Sequence, residues 1–190
     1  MPRHADPQLE GRILKAARKL YLRGGEKALS MRALARAAKT NTPAVYRRFR
    51  NRKEILRAMV QQVQQDLFEV LQPCASLQEA CERFLDFALA RAHEYELISS
   101  GLFSRIDMPR PNFEFMKQRS AEWLGGTPDD HAGLVLALWA LMHGTAMLLI
   151  SGTVPKGREA QLPSLLGQAA DVLVRNASSL SGICPSPARS

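Results

Sequence analysis

Cysteine is scarce and poorly spaced for chemistry. Cys74, Cys81 and Cys184 form no CxxC pair and lie far in sequence from His4 and His131, so no zinc site is expected. An odd thiol count predicts a reducing cytoplasm rather than a disulfide framework, and nothing beside these thiols marks them as activated redox sensors. The stretch MPRHADPQLEGR is polar and lacks the apolar core of a secretion signal. The motifs that announce catalysis are also missing. There is no Gly-x-Ser-x-Gly elbow, no phosphate-binding glycine loop, no paired metal-ligand motif and no dinucleotide fingerprint. Asp86, His93, Ser99 and Ser104 are the polar residues from which an enzyme would have to be assembled, and no motif unites them. No catalytic residue, metal or cofactor is therefore predicted. Convincing strand alternation is absent as well, and the chain reads as all-α.

Acidic residues are nearly missing from the first third. Residues 1–60 carry 16 Lys+Arg against 4 Asp+Glu, a net of +12, whereas residues 61–190 carry 10 against 14, a net of −4. A basic excess confined to one end predicts a localised surface for a polyanion. Charge of either sign is missing from His131 to Pro155, a run long enough to suggest a membrane span. His143, Gly144 and Thr145 interrupt it, and the flanking charges (Asp129 and Asp130 before, Lys156 and Arg158 after) invert the expected bias if the basic end lies in the cytoplasm. A helix apolar around most of its circumference is equally suited to burial by its own core and by a partner subunit, so no membrane partner is predicted.

Periodicity places a first helix over about 7–22, with Leu9, Ile13, Ala16, Ala17 and Leu20 on one face and Gly24–Gly25 at its end. Ser30 can cap a second helix that turns Met31, Leu34, Ala35 and Ala38 inward. Asn41 can cap a third, with Pro43 in its first turn, where a missing N–H does no harm. Val45 and Phe49 would anchor that third helix, leaving Thr42, Pro43, Ala44, Tyr46 and Arg47 to face outward in varying degree. Asn51 and Glu54 resemble a capping box opening a fourth helix that runs to Pro73. Arg52 and Lys53 fall in its first turn, where the helix dipole disfavours cations and a bound phosphate would relieve the conflict. Further helices are expected at about 76–95, 97–105, 112–124, 128–151 and 158–177, with a Pro-containing break at 107–111. The Ser/Pro-rich tail is expected to fray.

Two short helices across a tight turn, with arginines beside the second, suit insertion into a DNA major groove. The run SMRALARAA, the turn, PAVYRRF and RKEIL together resemble the tetracycline-repressor (TetR) family over roughly residues 9–60. Trp139-x-x-x-His143-Gly144 is similar, over a shorter stretch, to the WHG-type ligand domain of one TetR subgroup. The resemblance implies a cytoplasmic, ligand-responsive transcriptional regulator, most often a repressor, that binds a palindromic DNA operator as a homodimer. It implies a helix-turn-helix domain at 7–50, a ligand-binding and dimerisation domain at 51–178 whose first helix connects the two, and a tail at 179–190. Carried over by position, Thr42, Pro43, Ala44 and Arg47 would approach base edges, while Tyr46, Lys53 and Arg32 would hold phosphates. The helices near 128–151 and 158–177 would form the subunit interface. For a small-molecule effector, Phe84, Phe87, Phe103, Met116, Trp139, His143 and Met147 are candidate pocket residues. The turn departs from the family's usual Ala-Gly-Val-Ser by reading Ala38-Lys39-Thr40-Asn41, which places a lysine where a left-handed backbone is expected. A membrane-surface protein is the main rival, but the apolar stripe of helix one is narrow and Ala-rich, better suited to packing than to insertion among headgroups.

Overall fold

The computed structural model describes residues 8–99 and 110–181. Within them every regular element is helical. The α-helices are α1 (Leu9–Gly24), α2 (Met31–Ala37), α3 (Thr42–Arg48), α4 (Arg52–Leu71), α5 (Leu77–Ala90), α6 (Ala92–Ser99), α7 (Pro111–Leu124), α8 (Ala132–Ser151) and α9 (Leu162–Arg175). Single 3₁₀ turns at Gly25–Ala28, Pro128–His131, Glu159–Gln161 and Ala177–Leu180 supply the junctions. The expected 76–95 helix is divided at Arg91, whose backbone (φ −126, ψ 42) leaves the helical region. Phe103, the rest of the 97–105 piece beyond Ser99, and most of the 107–111 break lie outside the described residues.

The chain packs as two units. In the first, Ile13 and Ala17 of α1, Leu34 and Ala35 of α2, Val45 of α3 and Ile55, Met59 and Val60 of α4 form one buried cluster, joined by Leu97 of α6. The apolar spacing in each helix is the cause: residues three and four apart return to one face, and that face is turned inward. The division between the units lies within α4, after Val63, because the first part of α4 is needed to close this small core.

The second unit takes the remainder of α4, then α5, α7, α8, α9 and the start of α6. Leu77 and Cys81 of α5, Leu134 and Leu138 of α8, and Ala170 of α9 form its buried centre, with Met116 and Trp123 of α7 packed against them. Phe68 meets Phe115 edge-on with ring centroids 4.8 Å apart, and Asn112 Nδ2 donates to the Gln64 carbonyl at 3.0 Å, tying α7 to the C-terminal part of α4. Arg119 donates to the Cys74 carbonyl at 3.0 Å and lies over the Trp123 ring at 4.6 Å.

Cys74 and Cys81 are free and buried. Burial pushes both thiols up, Cys81 to about 12, with Glu79 and Glu82 adding to the effect. The thiolate is the reactive species, so in a Cys184→Ser background the folded protein is expected to react with an aromatic disulfide reagent at neutral pH only on unfolding. Prompt labelling of Cys81 in the native protein would contradict this.

Candidate nucleic-acid interface

The recognition element is α3, and its local sequence explains its position. The Ser30 hydroxyl accepts from the Ala33 N–H at 3.1 Å and starts α2. The Asn41 side chain accepts from the Ala44 N–H at 2.8 Å and starts α3, with Pro43 in the first turn. Each cap satisfies one of the donors that a helix N-terminus leaves without a partner. Between the caps the backbone reverses at Lys39, whose φ of +52 makes it the one non-glycine residue with positive φ among those described. Val45 (0%) and Phe49 (5%) are buried and pin α3 to the core.

That anchoring decides which side chains face outward. Tyr46 is 53% exposed, and Pro43, Arg47, Arg32 and Lys53 are exposed, with Thr42 half-buried. Ala44 departs from the expected outward set: it is only 4% exposed and sits in the core cluster. In a helix of two turns flanked by packing partners, the residue beside Val45 is also drawn inward. The outward face of α3 is therefore Thr42, Pro43, Tyr46 and Arg47.

The junction into α4 also differs from expectation in detail. Asn51 Oδ1 accepts from the Glu54 N–H at 3.0 Å, but the Glu54 carboxylate reaches back one residue further, to the Arg50 N–H at 2.7 Å. Arg52 pairs with Glu26 at 3.1 Å, so its charge is neutralised within the domain. Lys53 has no such partner among the described residues, and neither do Arg32 and Arg47. Spatially, then, the basic excess resolves into a few uncompensated cations beside and on α3, an arrangement able to meet phosphate oxygens and base edges together.

The candidate effector residues only partly assemble. The Tyr95 hydroxyl and His143 Nδ1 are hydrogen-bonded at 2.8 Å. Phe84 meets the Tyr95 ring edge-on at 5.7 Å, and Trp139 lies 6.1 Å from the His143 ring, with the Arg110 guanidinium 5.8 Å from the Trp139 centroid. Phe84, His143 and Trp139 thus belong to one continuous aromatic group whose central member, Tyr95, the sequence reading missed. Nothing in HEYEL marks that tyrosine, since its partner lies 48 residues away. Phe87 is buried with the Arg91 guanidinium 5.1 Å from its ring centroid, and Met147 is half-buried. Met116 packs instead with the separate cluster around Leu77 and Leu134.

Residues 13–59, which contain both caps, the turn, α3 and the start of α4, match the model for bacterial regulatory proteins of the tetR family. Over that stretch the chain carries the N-terminal region of the tetR family. Known structures agree in fold. The regulatory-protein structure SCO4313 is 19% identical and superposes with a TM-score of 0.68, over 94% of this chain and 98% of that one. A TetR variant from Acinetobacter baumannii AYE in complex with minocycline is 18% identical with a TM-score of 0.63, over 90% and 97%. A TetR-like transcriptional regulator from Rhodococcus sp. RHA1 is 18% identical with a TM-score of 0.61, over 90% and 96%. No curated protein sequence matches the chain. The matched region spans the helix-turn-helix of α2 and α3, and the helices beyond it share the all-helical fold of these regulators.

Proposed function

We propose that this protein is a cytoplasmic, homodimeric, ligand-responsive repressor, with a DNA-reading part at 7–50 and a ligand-binding and dimerising part at 51–178. Thr42, Pro43 and Arg47 read base edges in a palindromic operator, while Tyr46, Lys53 and Arg32 hold its phosphates. The observation that carries this reading is the outward face of α3: Tyr46 is 53% exposed on a helix whose opposite side is fully buried, and uncompensated cations flank it. An exposed aromatic hydroxyl beside cations has little to contribute to a small domain's own stability, but it suits a phosphate backbone.

Dimerisation is supported by α8 and α9. Helix α8 has no charged residue over its whole length, yet Leu136 and Leu148 are exposed on it, as are Leu165 and Val172 on α9. A second copy of the same face would cover these side chains, and two-fold pairing would present two recognition helices to two half-sites. Ligand response is supported by the Tyr95–His143 pair, whose polar atoms lie among aromatic rings. Helix α6 carries Tyr95 in one unit and Leu97 in the core of the other, so an effector that competes for His143 would act on an element belonging to both. It changes operator affinity only if it binds the two states unequally.

The test is selection from a randomised duplex pool, followed by anisotropy titration at several salt concentrations. An enriched palindrome with steep salt dependence is expected; binding without enrichment would sink the sequence-specific reading. Lys53→Ala should weaken binding to all duplexes alike and reduce the salt slope by about 1 per protomer, about 2 for the dimer, with stability nearly unchanged. An unaltered slope would remove Lys53 from the phosphate contacts.

A further inference from the structure

Lys39 occupies a position that its own side chain makes unfavourable. Its φ of +52 lies in the left-handed region, where a residue with a Cβ is disfavoured by contact with the following carbonyl oxygen. Compared with glycine, a lysine restricts the unfolded chain and recovers part of that, but the folded domain gives it little else. The side chain is exposed, and no hydrogen bond or ion pair holds it among the described residues. The backbone around it is well tied: its own N–H donates to the Arg36 carbonyl at 3.2 Å, and the next N–H, of Thr40, to Ala35 at 2.9 Å. The turn is thus fixed by its main chain and by the burial of Ala38, and it does not need a lysine.

The location supplies a use for the charge. Lys39 is three residues before Thr42, and a chain advances at most about 3.6 Å per residue, so its Cα lies within roughly 11 Å of that first α3 residue. A lysine stem spans several ångströms more. Glu26, the acid nearest before Lys39 in sequence, is paired with Arg52, and Glu54, the nearest after it, accepts from the Arg50 N–H. A flexible ammonium there is suited to a phosphate as a point charge rather than to a base edge.

We propose that Lys39 is a DNA-backbone contact, a cation carried by the helix-turn-helix turn itself that adds one phosphate to the footprint of α3. The proposal rests on the operator-binding reading above. It predicts a trade-off between folding and binding at one residue. Lys39→Asn suits the left-handed backbone and removes the charge, while Lys39→Arg keeps the charge at the same backbone strain.

The experiment measures operator affinity against salt for the wild type and both variants by anisotropy, together with thermal unfolding. Lys39→Asn is expected to unfold at the same or a higher temperature, to lower the magnitude of the log–log salt slope of the dimer by about 1.8, about 0.9 per protomer, and to bind several-fold more weakly at low salt, the difference shrinking as salt rises. Lys39→Arg is expected to keep the wild-type slope. If Lys39→Asn binds with wild-type affinity and slope, the proposal is overturned while operator binding stands. If the wild type binds no duplex, both readings fall, and the wild-type titration alone separates that case from the first.

Discussion

Leu148→Glu is expected to convert the protein from dimer to monomer at micromolar concentration and to weaken operator binding by roughly two orders of magnitude or more. Leu148 is 45% exposed in the single chain, on a helix with no charged residue to keep it soluble. In a two-fold interface each substitution occurs twice. Losing the burial of the exposed part of two leucines is worth about 1 kcal/mol apiece, and two carboxylates then meet an apolar face without partners. The operator effect follows because a monomer engages one half-site and forfeits the contacts of the other. Leu124, 42% exposed at the end of α7, provides the control, and Leu124→Glu should leave mass and operator affinity unchanged. Analytical ultracentrifugation decides the matter. A Leu148→Glu protein that still sediments as a dimer would place the interface elsewhere, and a wild type that sediments as a monomer would remove the homodimer altogether.

What was legible in the sequence is what short-range physics controls. Ser30 and Asn41 cap the helices they were expected to cap, because capping needs only a side-chain oxygen three residues from a free N–H. The core positions Ile13, Leu34, Val45 and Ile55 follow from helical period alone, and all are fully buried. The misses are contacts between residues distant in sequence. Arg52 looked available for a phosphate until Glu26, 26 residues earlier, was found beside it. Tyr95 attracted no notice because its meaning lies in His143. The interruption at Arg91 has no Gly or Pro to announce it; there the Arg91 side chain pairs with Asp66 of α4 and Glu94 of α6. Ala44 was misplaced because a two-turn helix packed on more than one side buries more than a single stripe.

The two glycines of α8 should respond to alanine with opposite signs, and the comparison separates packing inside one chain from packing between chains. A Cβ on Gly133 would be driven well inside contact distance of the Leu180 carbonyl oxygen, a backbone atom held by the 3₁₀ turn at Ala177–Leu180. Glycine in a helix interior is unfavourable by about 1 kcal/mol relative to alanine, yet forced overpacking costs about 1–3 kcal/mol, so Gly133→Ala is expected to destabilise the fold or to detach the 177–180 turn from α8. At Gly144 nothing lies within 4 Å of the same added atom. Within one chain Gly144→Ala should therefore stabilise α8 by up to about 1 kcal/mol. Chemical denaturation in the Leu148→Glu background reads that intrachain term without the partner. In the wild-type background the sign becomes informative. If a second copy approaches the exposed face closely at Gly144, the methyl group lowers dimer affinity while leaving the monomer more stable. If alanine is stabilising in both backgrounds, the subunits do not meet at Gly144, and the interface is centred on Leu136, Leu165 and Val172. A Gly133→Ala protein as stable as the wild type would show that the 177–180 turn yields freely, and the close packing of α8 against it would carry no weight in the fold.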